Sequence, residues 1–219
     1  MFDLKQAQQL HQGWLGAEFL ALFVLLPVSF SMPYPIVYKI GLTLAGFIYI
    51  LIVLYQNEYR LFQSITLNWT AFWKSVGIRF IGIAIVTLLY VYWQDKSLLF
   101  FVPRNNPGLF GIIVLVYALL SVWPQEVIYR TFFFERYKHW FKDQRLLCFV
   151  NAIVFSLAHL FFRNTLVLLL TFLGGLLFAF TYLRFKSTLA VSVEHAIYGN
   201  WLFAIGMGEM LAFPGMEAP

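Results

Sequence analysis

Three clusters of polar and charged residues interrupt the apolar C-terminal half of the 219-residue chain, at positions 123–130, 155–159 and 194–200. A carboxyl such as that of Glu126 can activate water as a general base. The imidazoles of His159 and His195 can bind a metal, hydrogen-bond an oxyanion or transfer protons near neutral pH. These residue types indicate a hydrolytic centre, although a proton-coupled transporter uses the same types.

The first cluster contains a potential ion pair. Glu126 and Arg130 are four residues apart, so on a helix they share one face. Arg130 would orient the carboxyl of Glu126 and favour its ionised form. Pro124, just before the pair, can kink the helix. The pairing makes both charges tolerable in an apolar setting and is compatible with a catalytic role.

The elements that carry these clusters must lie in a lipid bilayer. The chain is 61% hydrophobic and only 11% charged, against about 25% charged residues in soluble domains. A charged group within a spanning helix costs at least about 2.5 kcal/mol, so each one there is a functional candidate. The single cysteine, Cys148, excludes an internal disulfide and a cysteine-cluster metal site. Nucleic acid is rejected as a partner despite the net charge of +5, because the basic residues lie between apolar runs and face lipid headgroups.

Apolar runs of nearly spanning length predict an all-α, polytopic membrane helix bundle of about seven transmembrane helices. The predicted spans are 14–30, 35–55, 79–93, 108–134, 147–162, 165–185 and 188–206. Six or eight spans are also compatible with the pattern. We expect a single integral membrane domain over 1–219.

The distribution of basic residues predicts the orientation. Most Lys and Arg residues fall on the side of the N-terminus and of the loops near 56–78, 135–146 and 184–187. By the positive-inside rule that side is cytoplasmic, so the chain is N-in and C-out. Its small size and the lack of a targeting sequence favour a bacterial inner (cell) membrane.

The three clusters, in this order and on separate spans, resemble the CPBP family of CAAX prenyl proteases and bacteriocin-processing enzymes, also called the Abi family. The family pattern is E-E-x-x-x-R, then F-x-x-x-H, then H-x-x-x-N or a variant. The segment 125–131 matches the first motif with one departure, Phe155 and His159 match the second, and His195 opens the third. The resemblance runs from Pro124 to about Gly208, within a catalytic core expected at 108–208.

The resemblance implies hydrolysis of a peptide bond inside the membrane, in a membrane-associated protein or peptide. In the family, the first acid of the motif is thought to activate water, and the His and Asn residues are thought to assist it and hold the oxyanion. By the resemblance, the site residues are Glu126, His159, His195, Arg130, Gln125 and Asn200. The family has been described both as metalloproteases and as metal-independent glutamic proteases. The cofactor is therefore open between none and a divalent metal such as zinc, held by His159, His195 and Glu126.

Two residues depart from the family pattern. Gln125 stands at the position of the first acid, and an amide cannot take a proton from water. An Asn four residues after His195 would fall on Gly199, whereas Asn200 lies one step later, about 100° further round the helix. Either the helix bulges at Gly199 or Asn200 has another role.

Three mechanisms follow. In our working hypothesis Glu126 is the base, and His159 and His195 polarise the scissile carbonyl or hold a metal. Alternatively, Glu194 supplies the missing carboxylate, although it has no obvious local partner and is better explained by a position near the cytoplasmic interface. In the third, the chain keeps the cavity of the family but does not catalyse its reaction. Counted along their helices, Glu126 and His195 lie close enough to the cytoplasmic ends of their spans to predict a cavity that opens toward the cytoplasm.

Two other function classes compete with an enzyme. Gln125 favours a non-catalytic membrane interaction or immunity protein with the family fold. A small transporter would need a continuous polar path, to which the first three spans contribute little beyond Glu18 and Lys39. Both residues could extend to the interfaces instead.

Overall fold

The structure, a computed structural model, describes residues 4–59 and 67–211, and these form helices, turns and loops without a strand. The predicted all-α class is therefore confirmed for the described residues. We number seven main helices in chain order. They are α1 over 4–29, α2 Ile36–Gln56, α3 Trp69–Asp95, α4 Pro107–Trp140, α5 Gln144–Leu157, α6 Thr165–Phe185 and α7 Thr188–Ala204.

Six helical stretches are long and apolar enough to cross a membrane, which confirms a multi-pass architecture. These stretches are Gln12–Ser29, Ile36–Gln56, Trp69–Leu98, Pro107–Trp140, Gln144–Phe162 and Thr165–Phe185. The seventh predicted segment is a helix of 17 residues, α7, which carries two of the polar residues of the third cluster, Glu194 and His195. The count of seven crossings and the N-in orientation remain predictions.

Two helices are longer than their apolar runs. α3 begins at Trp69 rather than near residue 79, and the side chain of Asn68 caps it by accepting from the amide of Ala71 at 2.9 Å. α4 continues past residue 134 to Trp140, because Phe133 and Tyr137 are fully buried against the bundle. Burial of aromatic rings thus extends the helix through a stretch that also carries charges.

Short capped connections make α5, α6 and α7 consecutive antiparallel neighbours. Asn164 caps α6 by accepting from the amides of Leu166 and Val167, and Ser187 caps α7. α5 and α6 pack closely at Gly175, where an added Cβ would lie 3.0 Å from the Cα of Ala152. This close approach brings the second cluster on α5 against α6.

α4 departs from regular α-helical geometry around the first cluster. Two π-helical segments, Tyr117–Val122 and Val127–Phe132, flank the α-helical turn Trp123–Glu126. Such π-helical segments are rare in proteins overall, and those that occur are often found at functional sites. By contrast, α7 is α-helical throughout, so the bulge considered at Gly199 is absent.

A buried ion-pair network joins α1 to the end of α4. The carboxylate of Glu18 accepts from Nε and Nη2 of Arg136, each at 2.9 Å. It also accepts from the hydroxyls of Tyr137 at 2.6 Å and Tyr49 at 2.5 Å. Glu18 is only 5% exposed, so the interpretation that it extends to an interface is wrong.

Candidate functional site

A cavity of about 950 Å³ lies between the helices that carry the three clusters. Its walls are mostly apolar, and three of the predicted site residues, Gln125, His159 and His195, lie among the lining residues. The hydroxyl-bearing ring of Tyr117 lies there too. Three distant stretches of chain therefore meet at one concave space of the size that small ligands and peptide segments occupy.

Glu126 lies behind His195. Its side chain is fully buried, and Oε1 is 2.7 Å from Nδ1 of His195. Among the described residues that line the cavity, Glu126 does not appear. The carboxylate therefore reaches the cavity through the imidazole.

The predicted pairing of Glu126 with Arg130 is present. Nε of Arg130 lies 3.3 Å from Oε2 of Glu126, and both side chains are fully buried. The guanidinium also lies over the rings of Phe155 and Phe178, at 4.6 and 5.6 Å from their centroids. These rings offer a buried cation favourable contacts on its flat faces.

The partners of His195 define its proton positions. A carboxylate only accepts hydrogen bonds, so Nδ1 of His195 donates to Glu126. In the neutral imidazole Nε2 is then an acceptor, and the hydroxyl of Tyr117 lies 3.1 Å from it. The ring stacks on Phe178, with centroids 4.4 Å apart and planes at 23°. His195 is thus held on both edges and on one face.

His159 lies in the turn after α5 rather than within it. Its Nδ1 is 2.8 Å from the carbonyl oxygen of Phe155. Since a carbonyl only accepts, Nδ1 carries the proton and Nε2 of the neutral ring is an acceptor. The rings of His159 and His195 both pack against Phe155, with centroids at 4.9 and 5.8 Å. The two imidazoles thus share one aromatic support at the cavity wall.

The two departures from the family motif have distinct structural consequences. Gln125 lines the cavity, and its Nε2 donates to Oγ of Ser121 at 2.8 Å. On α7, Gly199 faces the cavity, whereas Asn200 is not among its described lining residues. The structure therefore places Gly199 and not Asn200, a predicted site residue, at the cavity wall, and a role of Asn200 in the site stays a prediction.

Glu194 is engaged elsewhere. Its Oε1 accepts from Nη1 of Arg79 at 2.9 Å and from the hydroxyl of Tyr198 at 2.9 Å. Its side chain is fully buried, and the described residues lining the cavity do not include it. The sequence offers no obvious local partner for Glu194, and the structure supplies Arg79 from 115 positions away in the sequence. The mechanism in which Glu194 supplies the catalytic carboxylate loses its geometric basis.

The donor set does not fit a metal ion. Among the described residues, no three or more His, Cys, Asp or Glu side chains converge on one point. Both ring nitrogens of His195 already have protein partners, Glu126 and Tyr117. Nδ1 of His159 is engaged by a backbone carbonyl.

The cavity lies in the half of the bundle away from the basic loops. α5 begins beside the basic stretch 135–146, and only its residues from Phe155 onward line the cavity. α6 ends beside the basic residues 184–187, and only its residues up to Phe178 line it. The cavity thus lies at the end of α5 and the beginning of α6, away from the basic loops, and its opening toward the cytoplasm stays a prediction.

Sequence reasoning missed two residues that hold the site together. Tyr117 contacts His195 from 78 positions away in the sequence. Arg79 pairs with Glu194, the residue that precedes His195. The one signal in the sequence was an arginine, Arg79, at the start of the predicted span 79–93. A tyrosine in the apolar run of α4 carried no comparable signal.

Comparison with known proteins agrees with the geometry. Residues 107–201 match the family model described as type II CAAX prenyl endopeptidase Rce1-like. No curated protein and no solved structure matches the chain. The matched region contains all three clusters and every residue of the Glu126, His159 and His195 site. The resemblance to the CPBP family, to which the Rce1-like endopeptidases belong, is thereby confirmed over residues 107–201.

Proposed function

We propose that the protein is an intramembrane endopeptidase that hydrolyses a peptide bond of a membrane-associated protein or peptide. The observation that carries this proposal is the 2.7 Å contact between Glu126 and His195, at the wall of a cavity within a region that matches endopeptidases. A carboxylate behind an imidazole is an arrangement that activates a nucleophile in hydrolases. The catalytic core spans 108–208.

Glu126 acts through His195. The carboxylate holds the proton on Nδ1, so Nε2 accepts a proton from water as the water oxygen forms a bond to the scissile carbonyl carbon. The imidazolium formed is stabilised by Glu126. When the C–N bond breaks, His195 returns this proton to the leaving amine. The working hypothesis is thus modified, since Glu126 supplies the charge and the imidazole performs the transfer.

His159 contributes the second acceptor. Because its Nδ1 donates to the carbonyl of Phe155, its neutral Nε2 can accept a hydrogen bond from the attacking water. Arg130 keeps Glu126 paired on the side away from His195. Gln125 offers an amide at the same wall, which can orient water without taking its proton.

The cavity also limits the substrate class. Its mostly apolar walls favour a segment that partitions into the bilayer, and a multi-pass helical protein can receive such a segment from the lipid phase. We therefore expect membrane lipids and a membrane-associated peptide or protein as partners.

The test is cleavage of a membrane-anchored fluorogenic peptide by the purified protein in liposomes. We expect Glu126→Gln and His195→Gln each to reduce turnover by roughly 10²–10⁴-fold, the usual contribution of general acid–base catalysis. Glu135→Gln is the matched control, because Glu135 pairs with Lys138 at the end of α4. Turnover by Glu126→Gln equal to that of the unaltered protein would exclude the proposed pair.

A second candidate, a non-catalytic membrane interaction or immunity protein, is favoured by Gln125. Its amide donates to Ser121 and cannot replace an acid as base. Gln125→Glu separates the two candidates in the same cleavage assay. If the protein is an endopeptidase, the unaltered protein cleaves the peptide. If it is non-catalytic, the unaltered protein does not cleave, and cleavage appears only in Gln125→Glu or not at all.

A further inference from the structure

The side of His195 that faces the cavity is covered by Tyr117. The tyrosine hydroxyl lies 3.1 Å from Nε2, and the two rings meet edge to face with centroids 6.0 Å apart. Phe203 supports the tyrosine ring from α7 at 5.0 Å. The atom of His195 that takes part in the proposed chemistry is therefore already held by a side chain of the protein.

This position of Tyr117 depends on Gly199. A Cβ at residue 199 would overlap the hydroxyl and ring atoms of Tyr117. Residue 199 lies one helical turn after His195 on the same face of α7, and it is the position at which the family motif has Asn. The absence of a side chain at 199 leaves the space that the tyrosine of α4 occupies.

We propose that Tyr117 is a positioning residue of this site and that the Tyr117–Gly199 pair takes the place of the motif's Asn. The hydroxyl donates to Nε2 and keeps the imidazole plane aligned with Glu126 before substrate arrives. Substrate water then exchanges with the hydroxyl at Nε2. This inference rests on the proposed function for its catalytic consequence, and on geometry alone for the contact.

Tyr117→Phe removes the hydroxyl and keeps the ring. We expect kcat to fall roughly tenfold, the effect of about one hydrogen bond, with KM changed less than about twofold. Gly199→Ala should reduce kcat similarly, since the added methyl displaces the tyrosine. Gly111→Ala is the control on α4, because a Cβ there meets no atom within 4 Å.

An exchange of the two side chains tests the pairing directly. Gly199→Asn alone should inactivate, because its side chain meets Tyr117. Gly199→Asn combined with Tyr117→Ala should recover activity above that of either single variant. If the double variant is no more active than the two single variants, the Tyr117–Gly199 pair does not take the place of the motif's Asn.

A readout without turnover separates this inference from the proposed function. Diethyl pyrocarbonate modifies a free imidazole nitrogen, and peptide mapping can follow His195 with His159 as internal reference. We expect Tyr117→Phe to raise the rate at His195 several-fold and to leave the rate at His159 unchanged. Equal rates at His195 in both proteins would reject the contact, even if neither protein cleaved a peptide. Absence of cleavage with a raised rate would reject the proposed function and the catalytic role of Tyr117, leaving the contact alone.

Discussion

Two of the carboxylate–arginine pairs with a buried carboxylate, Glu18–Arg136 and Glu126–Arg130, differ in how completely their hydrogen-bonding groups are satisfied. Glu18 receives four hydrogen bonds, two from the guanidinium of Arg136 and two from tyrosine hydroxyls. Glu126 receives one, from His195, and its second oxygen faces Arg130 at 3.3 Å. Oε2 of Glu126 and all three guanidinium nitrogens of Arg130 have no hydrogen-bond partner among the described residues.

The difference separates a structural pair from a candidate functional one. A carboxylate whose lone pairs are all engaged joins helices and has no remaining capacity for a ligand. A buried carboxylate with one proton-bearing partner can stabilise a positive charge that forms on that partner. The chain therefore uses the same residue types to join α1 to α4 at one place and, under the proposed function, to perform chemistry at the other.

The largest expected effect separates the two arginines. Arg130→Met leaves Glu126 fully buried without its cation, and breaking such a pair costs about 3–5 kcal/mol of folding stability. Arg136→Met should cost less, because Glu18 keeps two hydroxyl donors. Thermal unfolding in detergent measures both changes. Equal loss of stability in the two variants would remove the distinction.

An intermediate effect separates stability from activity. Glu18→Gln should lower stability by about 1–3 kcal/mol, because the guanidinium of Arg136 loses its anionic acceptor. Turnover per folded molecule should stay within about twofold of the unaltered protein, because Glu18 lies outside the cavity. A catalytic defect as large as that of Glu126→Gln would show that the two sites are coupled.

The smallest expected effect concerns one hydroxyl of the structural pair. Tyr49→Phe removes a single donor to Glu18 and should cost about 1 kcal/mol in unfolding free energy. Tyr55→Phe is the matched control on the same helix, since Tyr55 is 86% exposed. A loss for Tyr49→Phe no larger than for Tyr55→Phe would show that this bond contributes no net stability.

The fold was largely predictable because the bilayer imposes long apolar runs. α2 and α6 begin and end within a residue of the predicted spans, at Ile36–Gln56 and Thr165–Phe185. α3 was predicted ten residues short, because its first turns carry a lysine and its apolar run begins only after Arg79. A charge whose partner lies on another helix resembles a loop residue when only neighbours in sequence are considered.

The site was predictable where chemistry and helical spacing agree. Glu126 and Arg130 are four residues apart, and their pairing needs no long-range information. The contact of His195 with Glu126 spans 69 positions, and the contact with Tyr117 spans 78. Asn200 was assigned by its proximity to the motif, although the direction of a side chain on a regular helix places Gly199 at the cavity instead.

The two π-helical segments of α4 have a consequence for how the chain can change in length. A π turn holds one residue more than the α turn it replaces, so removal of one residue from Val127–Phe132 can restore a regular turn and leave the flanking faces in place. The same deletion in α6 would rotate every later residue by about 100°. Homologues that differ by single-residue gaps should therefore carry those gaps on either side of Trp123–Glu126.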